Sequence, residues 1–91
     1  MADIIALREE IDRIDAEMQR LFEARMDVAA RIGEYKASRG MPVFDGAREL
    51  AKINEMRGRA SSEMLADDIE ALYRAVFEIS RARQEKILRN A

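Results

Sequence analysis

Six polar residues stand where a purely structural pattern would not put them: Arg25, Lys36, Arg48, Glu49, Ser80 and Gln84. Arg25 interrupts an otherwise apolar helical seam, and Lys36 follows it by eleven residues. Eleven residues make three helical turns and about 20° of rotation, so the two cations share a face about 16 Å apart along the axis. Their long side chains can close from both ends on a small anion lying against the helix. The stripe Tyr73, Phe77, Ser80, Gln84, Leu88 advances by four, three, four and four, which is one helical face. Two of its members are uncharged hydrogen-bonding groups where apolar residues are expected. Asp45, Arg48 and Glu49 open a further segment. A pocket lined by several cations and a neutral amide, with no nucleophile, suits a small dianion. It points to catalysis by positioning and electrostatic stabilisation rather than by covalent or proton-transfer chemistry. Each departure also has a structural reading. Arg25 fits a register device or a snorkelling cation, Ser80 and Gln84 a satisfied polar pair, and the Asp45 cluster ordinary capping and i,i+3 pairing.

The elements that must position these residues follow from two breaker clusters, Arg39-Gly40-Met41-Pro42 and Gly58-Arg59-Ala60-Ser61-Ser62. No segment between them has the alternating β-branched runs of a strand, so the pattern predicts an all-α fold. Helices are expected over about 3–38, 45–57 and 63–89, within one domain spanning 1–91. Asp45 is a plausible N-cap for the second helix. In the first, Ile4, Leu7, Ile11, Ile14, Met18, Leu21, Arg25, Val28, Ile32 and Tyr35 alternate steps of three and four. That is a coiled-coil seam held for five heptads. About 36 helical residues span about 54 Å, whereas a compact chain of this size is about 30 Å across. The helix must overhang its own domain, so the seam predicts an intertwined helical homodimer.

Composition narrows the chemistry further. The 91 residues contain no His and no Cys. That removes the commonest general base, the thiol nucleophile, disulfides and Cys/His zinc sites. No metal and no cofactor are expected. A chain this short buries only about 60–65% of its unfolded surface, which again favours oligomerisation. Sixteen basic against eighteen acidic residues give a net charge of −2, a poor match to nucleic acid. Thirteen of the sixteen basic residues are Arg, the side chain suited to bidentate recognition of carboxylates. With no long apolar run and no signal-peptide pattern, the expected setting is cytoplasmic, away from membranes.

The run Leu7-Arg8-Glu9-Glu10-Ile11-Asp12-Arg13-Ile14-Asp15 resembles the opening of the all-helical (AroQ-class) chorismate mutases. Glu23-Ala24-Arg25, Gly33-Glu34-Tyr35-Lys36, Pro42-Val43-Phe44-Asp45 with Arg48-Glu49, and the pair Ser80 and Gln84 extend the resemblance in order. It covers about residues 4–88. The resemblance implies conversion of chorismate to prephenate in aromatic amino-acid biosynthesis. Arg25 would bind a carboxylate, and Arg8 would reach across from the partner chain to do the same. Lys36 would hold a carboxylate and the ether oxygen, and Gln84 would donate to that oxygen from the other side. Glu49 would accept from the ring hydroxyl, Asp45 and Arg48 would contribute at the mouth of the second helix, and Ser80 would contact the ring side near a carboxylate. Lys36, Gln84 and Arg25 are thus the implied catalytic residues.

The Arg8 role has independent support, because 28 residues of straight helix separate it from Lys36 by about 42 Å. If both serve one pocket, they come from different subunits. Arg81 departs from the family pattern; its place near a helix end reads first as a dipole-complementing surface charge, and second as an extra cation near the pocket that could alter affinity or preference among related acids. Two other functions fit the same elements: an isochorismate-pyruvate lyase and a non-catalytic helical dimerisation module.

Overall fold

The computed structural model describes residues 3–90, so Met1, Ala2 and Ala91, the ends of the expected 1–91 domain, lie outside the described residues. Three helices and no strand make up the described chain: α1 (Ile4–Ser38), α2 (Gly46–Arg59) and α3 (Glu63–Arg89). Each N-terminus carries an acceptor that satisfies a backbone N–H otherwise left unbonded. Asp3 accepts from Ala6 N, Asp45 from Arg48 N and Ser62 from Leu65 N.

The C-terminus of α1 closes in a Schellman turn. Met41 N donates to Lys36 O at 2.9 Å and Gly40 N to Ala37 O at 3.4 Å. Gly40 sits at φ +64°, a left-handed conformation that costs a side-chain-bearing residue energy. The turn and Pro42 redirect the chain into the connection that delivers Asp45 to the start of α2.

One boundary differs from the sequence expectation. α2 continues two residues past 57, through Gly58 and Arg59. A helical glycine costs only about 1 kcal/mol, and the last turn is held by charge. Arg59 pairs with Glu55, while Arg57 pairs with Asp67 at 2.9 Å and Glu70 at 3.0 Å across the elbow. The break falls instead at Ala60–Ser62, where Ala60 is extended and Ser62 caps α3.

α3 is the hub, packing on both α1 and α2. Its buried face carries Ala66, Val76, Phe77, Ser80 and Gln84. α1 meets that face through Met26, Ala29 and Gly33, its only buried residues. This contact stripe lies one residue round from the seam at Arg25, Val28 and Ile32, which stays half- or fully exposed. The molecule is elongated as the 54 Å helix requires, 57 × 26 × 14 Å with a radius of gyration of 16.6 Å.

Candidate active site

The three helices and the 39–45 connection enclose a cleft of about 460 Å³, a size usual for small-molecule sites. Its apolar floor is formed by Val28, Ala29, Ile32, Val43 and Phe77. Seven polar residues singled out in the sequence line it together: Arg25 and Lys36 from α1, Asp45, Arg48 and Glu49 at the start of α2, and Ser80 and Gln84 from α3. The eighth, Arg8, is not brought there by its own chain. It lies exposed on α1, 17 residues before Arg25, which is about 26 Å along the helix.

Arg25 is fixed on three sides. Its Nη1 donates to Ser80 Oγ at 2.8 Å, and its guanidinium lies 5.5 Å from the Phe77 ring centroid and 5.9 Å from that of Tyr73. Ser80 in turn donates to Val76 O at 2.8 Å, so its hydroxyl is aimed by α3 and its lone pair by Arg25. The charge is therefore held by aromatic faces and a neutral hydroxyl, and among the described residues no carboxylate pairs with it.

Lys36 Nζ donates to Val43 O at 2.8 Å, tying α1 to the connection. An ammonium has three hydrogens, so this bond positions the group and leaves donors for a ligand. Gln84 is buried and donates from Nε2 to Ala29 O at 2.9 Å. Only the amide nitrogen can donate to a carbonyl, so this bond fixes which way the amide faces and leaves a second N–H. The close approach depends on Gly33. A Cβ there would lie 3.1 Å from Gln84 Cγ and 3.3 Å from its Cα.

Five cations line the cleft against two carboxylates, a net of three positive charges in a molecule whose overall charge is −2. Two of those cations were not assigned to the pocket from sequence. Lys52 lines it one turn beyond Arg48, and its i+4 spacing from Arg48 was the available signal. Arg81 corrects the surface-charge reading. It lines the cleft and its Nη1 donates to both carboxylate oxygens of Glu49, at 2.5 and 2.6 Å. Its spacing of three from Gln84 marks the shared face. Among the described residues, no helix is long and apolar enough to cross a membrane.

The family model described as chorismate mutase type II matches residues 7–85. Among curated proteins, the T-protein of Haemophilus influenzae is 32% identical over 81 residues, covering 88% of this chain and 22% of that protein. The T-protein of Enterobacter agglomerans is 31% identical over the same span. A bifunctional chorismate mutase/prephenate dehydratase of Aquifex aeolicus is 45% identical over 49 residues, 54% of this chain and 14% of that one. The chain thus spans about a fifth of the length of the first curated relatives it matches. No solved structure matches significantly.

Proposed function

The chain belongs to the chorismate mutase type II family, and from that premise we propose that it rearranges chorismate to prephenate. The supporting observation is the cleft itself. It gathers Arg25, Lys36 and Gln84 around an apolar floor with a net positive charge, complementary to a small dicarboxylate. The reaction is a unimolecular Claisen rearrangement in which the C–O ether bond breaks as a C–C bond forms. No proton need move, so the chain's lack of His and Cys is no obstacle.

Arg25, held by Ser80 and two aromatic rings, binds one carboxylate, with Ser80 contacting the ring side near it. Lys36 binds a carboxylate and the ether oxygen, and the second N–H of Gln84 reaches that oxygen from the opposite wall. Negative charge grows on the oxygen as the bond breaks, so these contacts strengthen in the transition state and lower the barrier. Arg48 and Asp45 close the mouth of the cleft, and Glu49 accepts from the ring hydroxyl. The cationic clamps hold the enolpyruvyl arm folded over the ring, close to its reacting geometry.

The working unit in this reading is a cytoplasmic, cofactor-free homodimer. The exposed Ile4, Leu7, Ile11, Ile14 and Met18 of α1 support it, since that apolar stripe has no cover among the described residues. An intertwined partner would cover it and bring its own Arg8 to the cleft. The test is to incubate the purified chain with chorismate, and separately with isochorismate, following prephenate and pyruvate. Prephenate from chorismate is expected. Pyruvate from isochorismate without prephenate would make the chain a lyase, and inertness toward both would leave a dimerisation module.

A further inference from the structure

Arg81 and Glu49 form a bridge across the cleft that the proposed reaction does not require. Arg81 Nη1 approaches both Glu49 oxygens, at 2.5 and 2.6 Å. The guanidinium also lies 5.3 Å from the Phe44 ring centroid, in the connection that precedes Asp45. Both side chains are partly shielded, 32% and 22% exposed, which weakens solvent screening of their attraction. Among the described residues, Arg81 Nη2 and Nε donate to no protein group. A carboxylate offers about four lone-pair positions, so Glu49 can still accept a hydrogen bond while Arg81 is attached. Glu49 thereby remains an acceptor whose charge is already compensated.

That combination distinguishes two donors of similar size. A hydroxyl needs only an accepting lone pair, which Glu49 keeps. An ammonium draws most of its binding from net negative charge, which Arg81 removes while adding a positive neighbour of its own. We propose that Arg81 is a positioning residue that sets specificity, holding Glu49 as a charge-compensated acceptor so that this end of the cleft takes a ring hydroxyl and refuses an ammonium in its place. The inference rests on the mutase reading, which puts the substrate's ring hydroxyl against Glu49. A brace that merely fastened α2 to α3 would affect all ligands alike, and this is where the two roles part.

The experiment compares chorismate with its analogue bearing an amine in place of the ring hydroxyl, largely protonated at pH 7. The readout is the inhibition constant of the analogue against chorismate turnover, divided by the KM for chorismate. In Arg81→Leu this ratio is expected to fall about tenfold or more, because Glu49 is left uncompensated. Arg81→Gln, which keeps hydrogen bonding and removes the charge, is expected to move it the same way and serves if the leucine variant does not fold. Arg81→Lys retains the charge and should hold the ratio within about threefold of the parent. Glu49→Gln should raise it, since Arg81 then faces the amine unpaired. A ratio unchanged in both Arg81→Leu and Arg81→Gln overturns the proposal, whatever happens to overall activity. Absence of prephenate formation by the parent chain overturns the mutase reading and this inference together, and the two failures are told apart by that control.

Discussion

The two halves of α1 share one helix and one heptad seam, yet they are packed very differently. From Ile4 to Ala24 every residue is exposed, including Ile11 and Ile14 at 57% and 58%. From Arg25 onward, Met26, Ala29 and Gly33 are buried against α3, and the neighbouring seam positions Arg25, Val28 and Ile32 line the cleft. A single apolar period therefore serves two purposes along its length. The C-terminal stretch supplies much of the floor and two cations of the candidate site, Arg25 and Lys36, and the N-terminal stretch presents an apolar stripe left uncovered among the described residues. Seven of the eight candidate residues can thus be gathered within one chain, while in the proposed dimer the helix that bears two of them takes its remaining burial from a second.

The sharpest way to break this comparison is to charge the uncovered half. Ile11→Asp combined with Ile14→Asp is expected to yield a monomer in sedimentation and to lower chorismate turnover by a factor of about 10³ or more, with a large fall in Tm. A dimer that survives with full activity would show that this half is not the interface.

The cleft half is probed by Lys36→Ala and Gln84→Ala, each expected to cut turnover about 10²–10³-fold while lowering Tm by only a few degrees. The two halves are joined in one measurement by mixing Arg8→Ala with Lys36→Ala chains after unfolding and refolding. Each alone should be nearly inactive. Random pairing places one intact site in about half of the dimers, so about a quarter of parental turnover should return. No recovery would confine Arg8 to its own chain.

Smaller effects refine the packing. Gly33→Ala puts a methyl 3.1–3.3 Å from Gln84, so a cost of about 1–3 kcal/mol is expected from overpacking. Turnover should fall about tenfold as the amide shifts. A variant of parental stability and rate would mean that α3 yields freely there.

The smallest effect concerns the elbow between α2 and α3. A hydrogen bond from Arg74 lowers the Glu70 carboxyl below its ordinary value of 4.5, with Arg57 adding to the shift. A hydrogen bond from Lys52 does the same for Glu55. A carboxyl lowered in the folded state stabilises it above the unfolded value, and that contribution disappears as pH falls through the folded value. Tm should therefore be level between pH 8 and pH 5 and decline below about pH 4.5, with a shallower decline in Glu70→Gln. Glu55 is exposed and Glu70 half-buried near the surface, so the change should be a few degrees at most.

The helices were legible because period and capping residues are local properties. Asp45 reads as a cap from its type, and a seam of steps three and four survives any packing. Arg25, Lys36, Ser80 and Gln84 were legible as exceptions to apolar faces, and the cleft gathers them. Arg81 was legible only as the lesser of two readings, because basic residues near a helix C-terminus are ordinary. What distinguishes it is Glu49, 32 residues away on another helix. Gly33 was quoted only as part of a motif, since its value lies in the nearness of Gln84, 51 residues further on. The first depends on how α2 is set against α3 and the second on how α1 is, which no local pattern records.

The unbroken course of α1 also makes it a measuring rod. In the proposed dimer, the distance between the two sites is laid down in units of 1.5 Å and 100° per residue. One residue inserted near Met18 would slide Arg8 by only about 1.5 Å but swing it about 100° away from the partner's cleft. Seven inserted residues would return it to within about 20° while moving it about 10 Å. Length change in this helix is therefore tolerated by angle only in whole heptads, and by reach not even then. Every residue between Arg8 and Lys36 is thus constrained in number, whatever freedom its side chain enjoys.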